Sequence, residues 1–167
     1  FAVANNKDAT FSPRFYTEDK MLLQTEYRQV NLESTHMSDF SFFKEKKKLK
    51  NHLFYKYNKN LEIKNFEKSN LNLNIQKTSH DTYLKSNKII SNVVSYDDIL
   101  ENSINLDLYS NDLSINTEMT VYENLNKDDS DKFEYIFPKY ELEKSIKNKT
   151  KLNGNFSFSS QGFVRNY

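Results

Sequence analysis

Apolar side chains recur at every second residue along much of this chain, and that period admits one kind of backbone. Leu71, Leu73 and Ile75 alternate with Asn70, Asn72, Asn74 and Gln76. Successive side chains of a strand point to opposite faces, so the spacing puts the aliphatic groups on one face and the amides on the other. Two more runs repeat it. Ile104, Leu106 and Leu108 alternate with Ser103, Asn105 and Asp107, and Leu113, Ile115, Thr117, Met119 and Val121 alternate with Ser114, Asn116, Glu118 and Thr120. Only Ser110, Asn111 and Asp112 separate these runs, which predicts an antiparallel hairpin.

The N-terminal third repeats the theme. Phe11, Pro13 and Phe15 share a face opposite Thr10, Ser12 and Arg14; beyond Thr17-Glu18-Asp19-Lys20, Leu23, Thr25 and Tyr27 oppose Gln24, Glu26 and Arg28, a second hairpin. Further strands are expected near Thr35–Phe43, His52–Asn60, Phe133–Glu143 and Gly154–Phe163, giving about nine strands of ~8–11 residues. Thr78–Leu100 shows no period and is expected to be a long loop. No window carries a capped amphipathic helix of useful length. The fold class is therefore all-β, as an antiparallel meander.

Composition narrows the possibilities. The 167 residues make room for one domain, or a fragment of one. Eleven Tyr and 13 Phe argue for a folded chain and against a solvating disordered one. Lys+Arg 24 against Asp+Glu 23 leaves a net charge of +1, which gives no general attraction to nucleic acid. The absence of Cys removes disulfides, thiolate metal sites and Cys nucleophiles. Aliphatic runs such as Met21-Leu22-Leu23 fall far short of the ~20 residues of a spanning helix. The chain begins at Phe1 with neither a basic nor an apolar leader, and reads as a piece of something longer.

A strand with one apolar and one polar face fits two architectures. In a sandwich the apolar face meets a second sheet; in an outer-membrane barrel it meets lipid while the polar face lines a wet lumen. Charge along the polar faces (Arg14, Glu26, Arg28, Asp107 and Glu118) asks for water and favours the barrel. Tyr16, Tyr109, Tyr122 and Tyr140, at strand ends, suit an interfacial aromatic girdle. The alternative is a soluble or surface β-sandwich binding module, adhesin-like, that buries the same aliphatic side chains between two sheets.

The segment Asn6-Lys7-Asp8-Ala9-Thr10-Phe11-Ser12-Pro13-Arg14-Phe15-Tyr16, followed by Leu22-Leu23-Gln24-Thr25-Glu26-Tyr27-Arg28, resembles the barrel domain of the lipopolysaccharide-assembly (LptD, organic solvent tolerance) family. The pattern D-x-T-x-[ST]-P-x-x-Y stands here as Asp8, Thr10, Ser12, Pro13 and Tyr16, and L-x-x-E-[YF]-R as Leu23, Glu26, Tyr27 and Arg28. Weaker echoes follow at Leu73-Asn74-Ile75 through Ser79–Leu84 and at Phe137-Pro138-Lys139-Tyr140-Glu141-Leu142. The resemblance implies a barrel of roughly 26 strands in the outer membrane of a Gram-negative bacterium. Such a barrel takes lipopolysaccharide from a periplasmic bridge protein, LptA, is plugged by a lipoprotein, LptE, and releases its cargo sideways among outer-membrane lipids. Residues 1–167 would be an N-proximal sector, an open curved sheet lacking the family's closing strands and disulfide cysteines. The family's second-strand proline, which weakens the seam through which lipid leaves, falls on Pro13, making it the candidate lateral-gate residue. The bland reading of Pro13 is that it marks a bulge.

Other constellations read as ordinary surface. Lys44-Glu45-Lys46-Lys47-Lys48-Leu49-Lys50 is expected to be a solvated turn, although its charge could meet phosphates. Asp97-Asp98 and Asp128-Asp129-Ser130-Asp131 lack the Gly and the spaced Glu of a calcium loop. His36, His52 and His80 have no zinc-ligand spacing. Nothing matches a nucleophile elbow, a phosphate loop or a dinucleotide fingerprint, so the sequence supports neither an enzyme nor a cofactor. Asn148-Lys149-Thr150 and Asn155-Phe156-Ser157 match the glycosylation triplet, which is without meaning in a bacterial host.

Overall fold

A computed structural model of the chain describes residues 1–17, 20–45, 48–94, 98–128, 130–146 and 154–167. The strands are β1 (Ala2–Ala4), β2 (Lys7–Tyr16), β3 (Lys20–Val30), β4 (Ser34–Glu45), β5 (Lys48–Asn60), β6 (Lys68–Thr78), β7 (Ile99–Ser110), β8 (Leu113–Asn124), β9 (Phe133–Ile146) and β10 (Phe156–Asn166). They form one ten-stranded sheet in sequence order, each strand antiparallel to the next. The sheet is open, and no second sheet covers it among the described residues.

Several strands outrun the ranges their alternation predicted. β4 and β5 extend through Lys44-Glu45 and Lys48–Asn51, and β9 runs on through Lys144-Ser145-Ile146. Alternation reports burial, whereas a ladder continues through charged residues wherever both faces are wet at the strand end. The β7–β8 hairpin turns on Asn111-Asp112, with Ser110 paired to Leu113. Antiparallel order also fixes which connections share an end of the sheet. Residues 5–6, 31–33, 61–67 and 111–112 lie at one end; Tyr16, Glu45, Thr78 and Asn124, where β2, β4, β6 and β8 finish, lie at the other.

Paired residues of an antiparallel ladder lie on the same face. The register Tyr57↔Leu73↔Ile104↔Met119 and Lys59↔Leu71↔Leu106↔Thr117 therefore joins the aliphatic alternations into one continuous apolar face. Phe11, Pro13 and Phe15 of β2, Leu23 of β3, and Phe40 and Phe42 of β4 belong to it through Phe11↔Thr25↔Phe40 and Pro13↔Leu23↔Phe42. Ile75 and Ile104 stand 38% and 44% exposed, and no second protein layer covers this face among the described residues. The other face carries Arg14, Glu26, Arg28, Asp107 and Glu118, as their alternation required.

The expected tyrosine girdle is corrected by the same register. Tyr16 pairs with Lys20, Tyr109 with Lys68 and Ser114, and Tyr122 with Glu101 and Glu134, which places all three on the polar face. Only Tyr140 of the four lies on the apolar face, where its ring closes over Gly162 opposite; a Cβ on that glycine would come within 2.9 Å of it. Position at a strand end says nothing about face, because shifting by one residue reverses it.

The larger part of the buried core lies on the polar side. Leu22 and Phe43 are direct partners there, Phe54 lies beside them, and the segment after β6 folds back to cover them. That segment contains one helical turn, α1 (Tyr83–Ser86), and delivers Tyr83, Leu84 and Val93 into the cluster. Thr78, Ile99 and Leu100, included in the expected loop, are strand residues.

Candidate functional site

Two features of β2 stand out, and they occupy adjacent residues. Pro13 lacks an amide proton, so its position in the ladder matters. The Ala9 N–H donates to the Phe1 carbonyl at 2.9 Å, which aims Ala9 away from β3. Backbone N–H directions alternate with period two, so the nitrogen of Pro13 faces the same outer edge. β1 reaches only Lys7 and Asp8 of β2 in the ladder. Pro13 therefore lies beyond β1 on an edge with no strand beside it among the described residues. The β2–β3 register runs unbroken from Lys7↔Gln29 to Tyr16↔Lys20, so Pro13 marks no bulge. Pro138 does: Phe137-Pro138 falls between Ile136↔Thr120 and Lys139↔Glu118, two residues against Met119.

Arg14, the next residue, points to the polar face and enters a closed hydrogen-bond network. One guanidinium nitrogen donates to the carbonyls of Asn87 (2.7 Å) and Lys88 (3.2 Å); the other donates to Gln24 Oε1 (3.1 Å). The Gln24 amide nitrogen donates to both oxygens of Asp39 (3.1 and 3.0 Å) and to the Ile90 carbonyl (2.9 Å). Asp39 also accepts from His52 Nε2 at 3.1 Å, while His52 Nδ1 meets Ser41 Oγ at 2.7 Å and Ser41 meets the Tyr83 hydroxyl at 2.6 Å. One assignment satisfies every partner: Tyr83 donates to Ser41, Ser41 donates to His52 Nδ1, and His52 Nε2–H donates to Asp39. Burial pushes the Tyr83 hydroxyl above its ordinary pKa, against a smaller opposing pull from its bond to Ser41.

Ser41, His52 and Asp39 have the composition of a nucleophile relay without its geometry of access. Asp39 and Ser41 are fully buried, His52 is 2% exposed, and the Ser41 hydroxyl is occupied by Tyr83. A reacting carbonyl has no room to approach. What the arrangement does is hold a loop: side chains from β2, β3, β4 and β5 converge on the segment between β6 and β7. Asn92 adds a bond to Glu26 (2.9 Å). Lys132 ties the same segment to the β8–β9 connection through Asp81 (2.8 Å), a bond that raises its pKa.

Beside this covered part, the polar face opens into a groove of about 690 Å³ that runs from β5 to β9, lined by Asn58, Asn72, Glu101, Tyr122, Lys132 and Glu134 among others. Asn72, on its lining, begins an amide–carboxylate ladder along the same face: Asn72 donates to Asn105 (3.0 Å) and Asp107 (3.3 Å), and Asn116 donates to Asp107 (2.5 Å).

The remaining candidates are scattered. The Lys44–Lys50 run falls at the β4–β5 connection, where Glu45 lies 3.2 Å from Lys20 and 3.9 Å from Lys50; Lys46 and Lys47 lie outside the described residues. Asp97, Asp129 and the triplet at Asn148 also lie outside them. His36 stacks among Tyr55 and Tyr57 on the apolar face, His52 is in the network, and His80 is in the loop. No cluster of three His, Cys, Asp or Glu occurs among the described residues. The network residues Gln24, Asp39, Ser41, His52 and Tyr83 were missed by sequence reading. A signal existed: Arg14, Gln24, Asp39 and His52 all fall on the polar side once the hairpins are registered, while their loop partner is a backbone without pattern. No protein-family model matches the chain, and no curated protein is significantly similar to it.

Proposed function

We propose that this chain is a sector of an outer-membrane β-barrel that exports lipopolysaccharide, with the apolar face against lipid and the polar face lining the lumen. The observation that carries the reading is the two-faced single sheet: Leu71, Leu73, Ile75, Ile104, Leu106 and Leu108 share a face that no second sheet covers among the described residues, opposite a face of charges and amides. In water such a face would drive aggregation, whereas acyl chains satisfy it. The resemblance of Asp8–Arg28 to the LptD family supplies the cargo, and with it the bridge protein LptA and the plug lipoprotein LptE as partners. The chain performs no bond chemistry in this reading; it works through a hydrated lumen and a separable edge. The sandwich alternative needs a second sheet over the same aliphatic residues, and no observation favours it.

Pro13 is the residue through which the reading is tested. At the open edge it withholds one donor from any strand that closes there. Pro13→Ala in the full-length protein restores the N–H, tightens the seam and slows the appearance of newly made lipopolysaccharide on the cell surface. Unchanged export together with unchanged detergent sensitivity overturns the seam role.

A further inference from the structure

We infer that residues 79–94 form a strap across the polar face that pins the edge strand β2, with Arg14 as the pin. The segment leaves the sheet at β6 and crosses β5, β4 and β3 to reach β2. At its root it is fixed by Tyr83 on Ser41 and by Asp81 on Lys132. At its far end, three of its carbonyls, those of Asn87, Lys88 and Ile90, are held by Arg14 and Gln24. These carbonyls take their hydrogens from the strands, so docking the strap and fixing the strands are one event.

The pin matters because β2 has little else on its outer side. β1 contributes two register positions, and Pro13 removes a donor from the remainder of that edge. Arg14, one residue on, points to the opposite face from Pro13 and ties the same stretch inward. A dipeptide thus combines a weakened edge with a clamp. Releasing the guanidinium frees β2 to leave β3 without disturbing β7–β9, which share no bond with Arg14. The structural part of this inference stands on the geometry alone; its consequence, that the strap sets how readily the seam opens, rests on the proposed export function.

Hydrogen–deuterium exchange of the full-length protein in detergent micelles separates the two. Arg14→Ala is expected to speed exchange about tenfold in β2 and in residues 84–94, while β7–β9 keep their protection. Arg14→Lys, which offers a point charge in place of a planar fork, gives an intermediate increase and carries the same comparison where the alanine variant does not fold. Unchanged exchange in β2, or an equal rise throughout β7–β9, overturns the strap whatever happens to export. A loosened β2 with lipopolysaccharide export unaltered overturns the seam reading and leaves the strap in place.

Discussion

The two halves of the polar face are made of similar polar residues but are not covered alike. On β2–β5, Gln24, Asp39, Ser41 and His52 are buried beneath the strap and satisfied by one another. On β6–β8, Asn72, Asn105, Asp107 and Asn116 are bonded across the ladder but remain part-exposed. The difference lies in the cover and not in the strands. Leu22, Phe43 and Phe54 interrupt the polar face of the first half and give the loop something apolar to sit on; the middle of β6–β8 offers Asn72, Asn74, Asn105, Asp107, Asn116 and Glu118 in their place. A polar group beneath a cover must find a protein partner, while one in a groove can use water. Polarity alone therefore does not mark where a lumen is wet.

The largest test of that contrast is at the two aspartates. Asp39→Ala leaves the His52 N–H without an acceptor in a dry site and takes one of the Gln24 amide's acceptors, and should cost about 2–3 kcal/mol. Asp107→Ala loses bonds that water replaces, and should cost about 1 kcal/mol. Urea unfolding in micelles measures both; equal losses would mean that the covered half is as wet as the groove. Of similar size is the contrast between faces. Leu73→Arg puts a charge where the proposed function places lipid, at about 2–4 kcal/mol near mid-membrane, whereas Asn72→Arg adds a charge to a hydrated face at little cost. Equal tolerance of both in a bilayer would remove the membrane assignment while leaving the sheet intact.

The smallest effect concerns the strap and pH. The Tyr83 pKa is raised by burial and that of Lys132 by its bond to Asp81. A raised value in the folded state means that the associated stability is complete below the ordinary value, about 10 for both residue types, and is lost as pH climbs through the raised one. Limited proteolysis after Lys85 and Lys88 should therefore stay constant from neutral pH to about 9 and accelerate above 10. Tyr83→Phe, which deletes one hydrogen bond worth about 1 kcal/mol, should raise cleavage at neutral pH and flatten part of the alkaline rise. Acceleration on the acid side instead would show that other groups hold the strap.

Period two specified the all-β class and the face of each residue in the well-alternating runs, though not the strand ends, because side-chain direction follows position along an extended backbone whatever surrounds it. Leu71–Ile75, Ile104–Leu108 and Leu113–Val121 show this, and the hairpin at Asn111-Asp112 follows from their spacing. The strap was illegible: its partners are the carbonyls of Asn87, Lys88 and Ile90, and every residue has a carbonyl. Tyr16, Tyr109 and Tyr122 went to the polar face because each stands two residues beyond Arg14, Asp107 or Thr120 and continues that alternation, which position at a strand end does not override. Joining Arg14 to residues more than seventy positions away, and drying out half of a polar face, needed the chain to fold back on itself. Local sequence sets which way a side chain points, but only tertiary packing decides whether it meets water, lipid or protein.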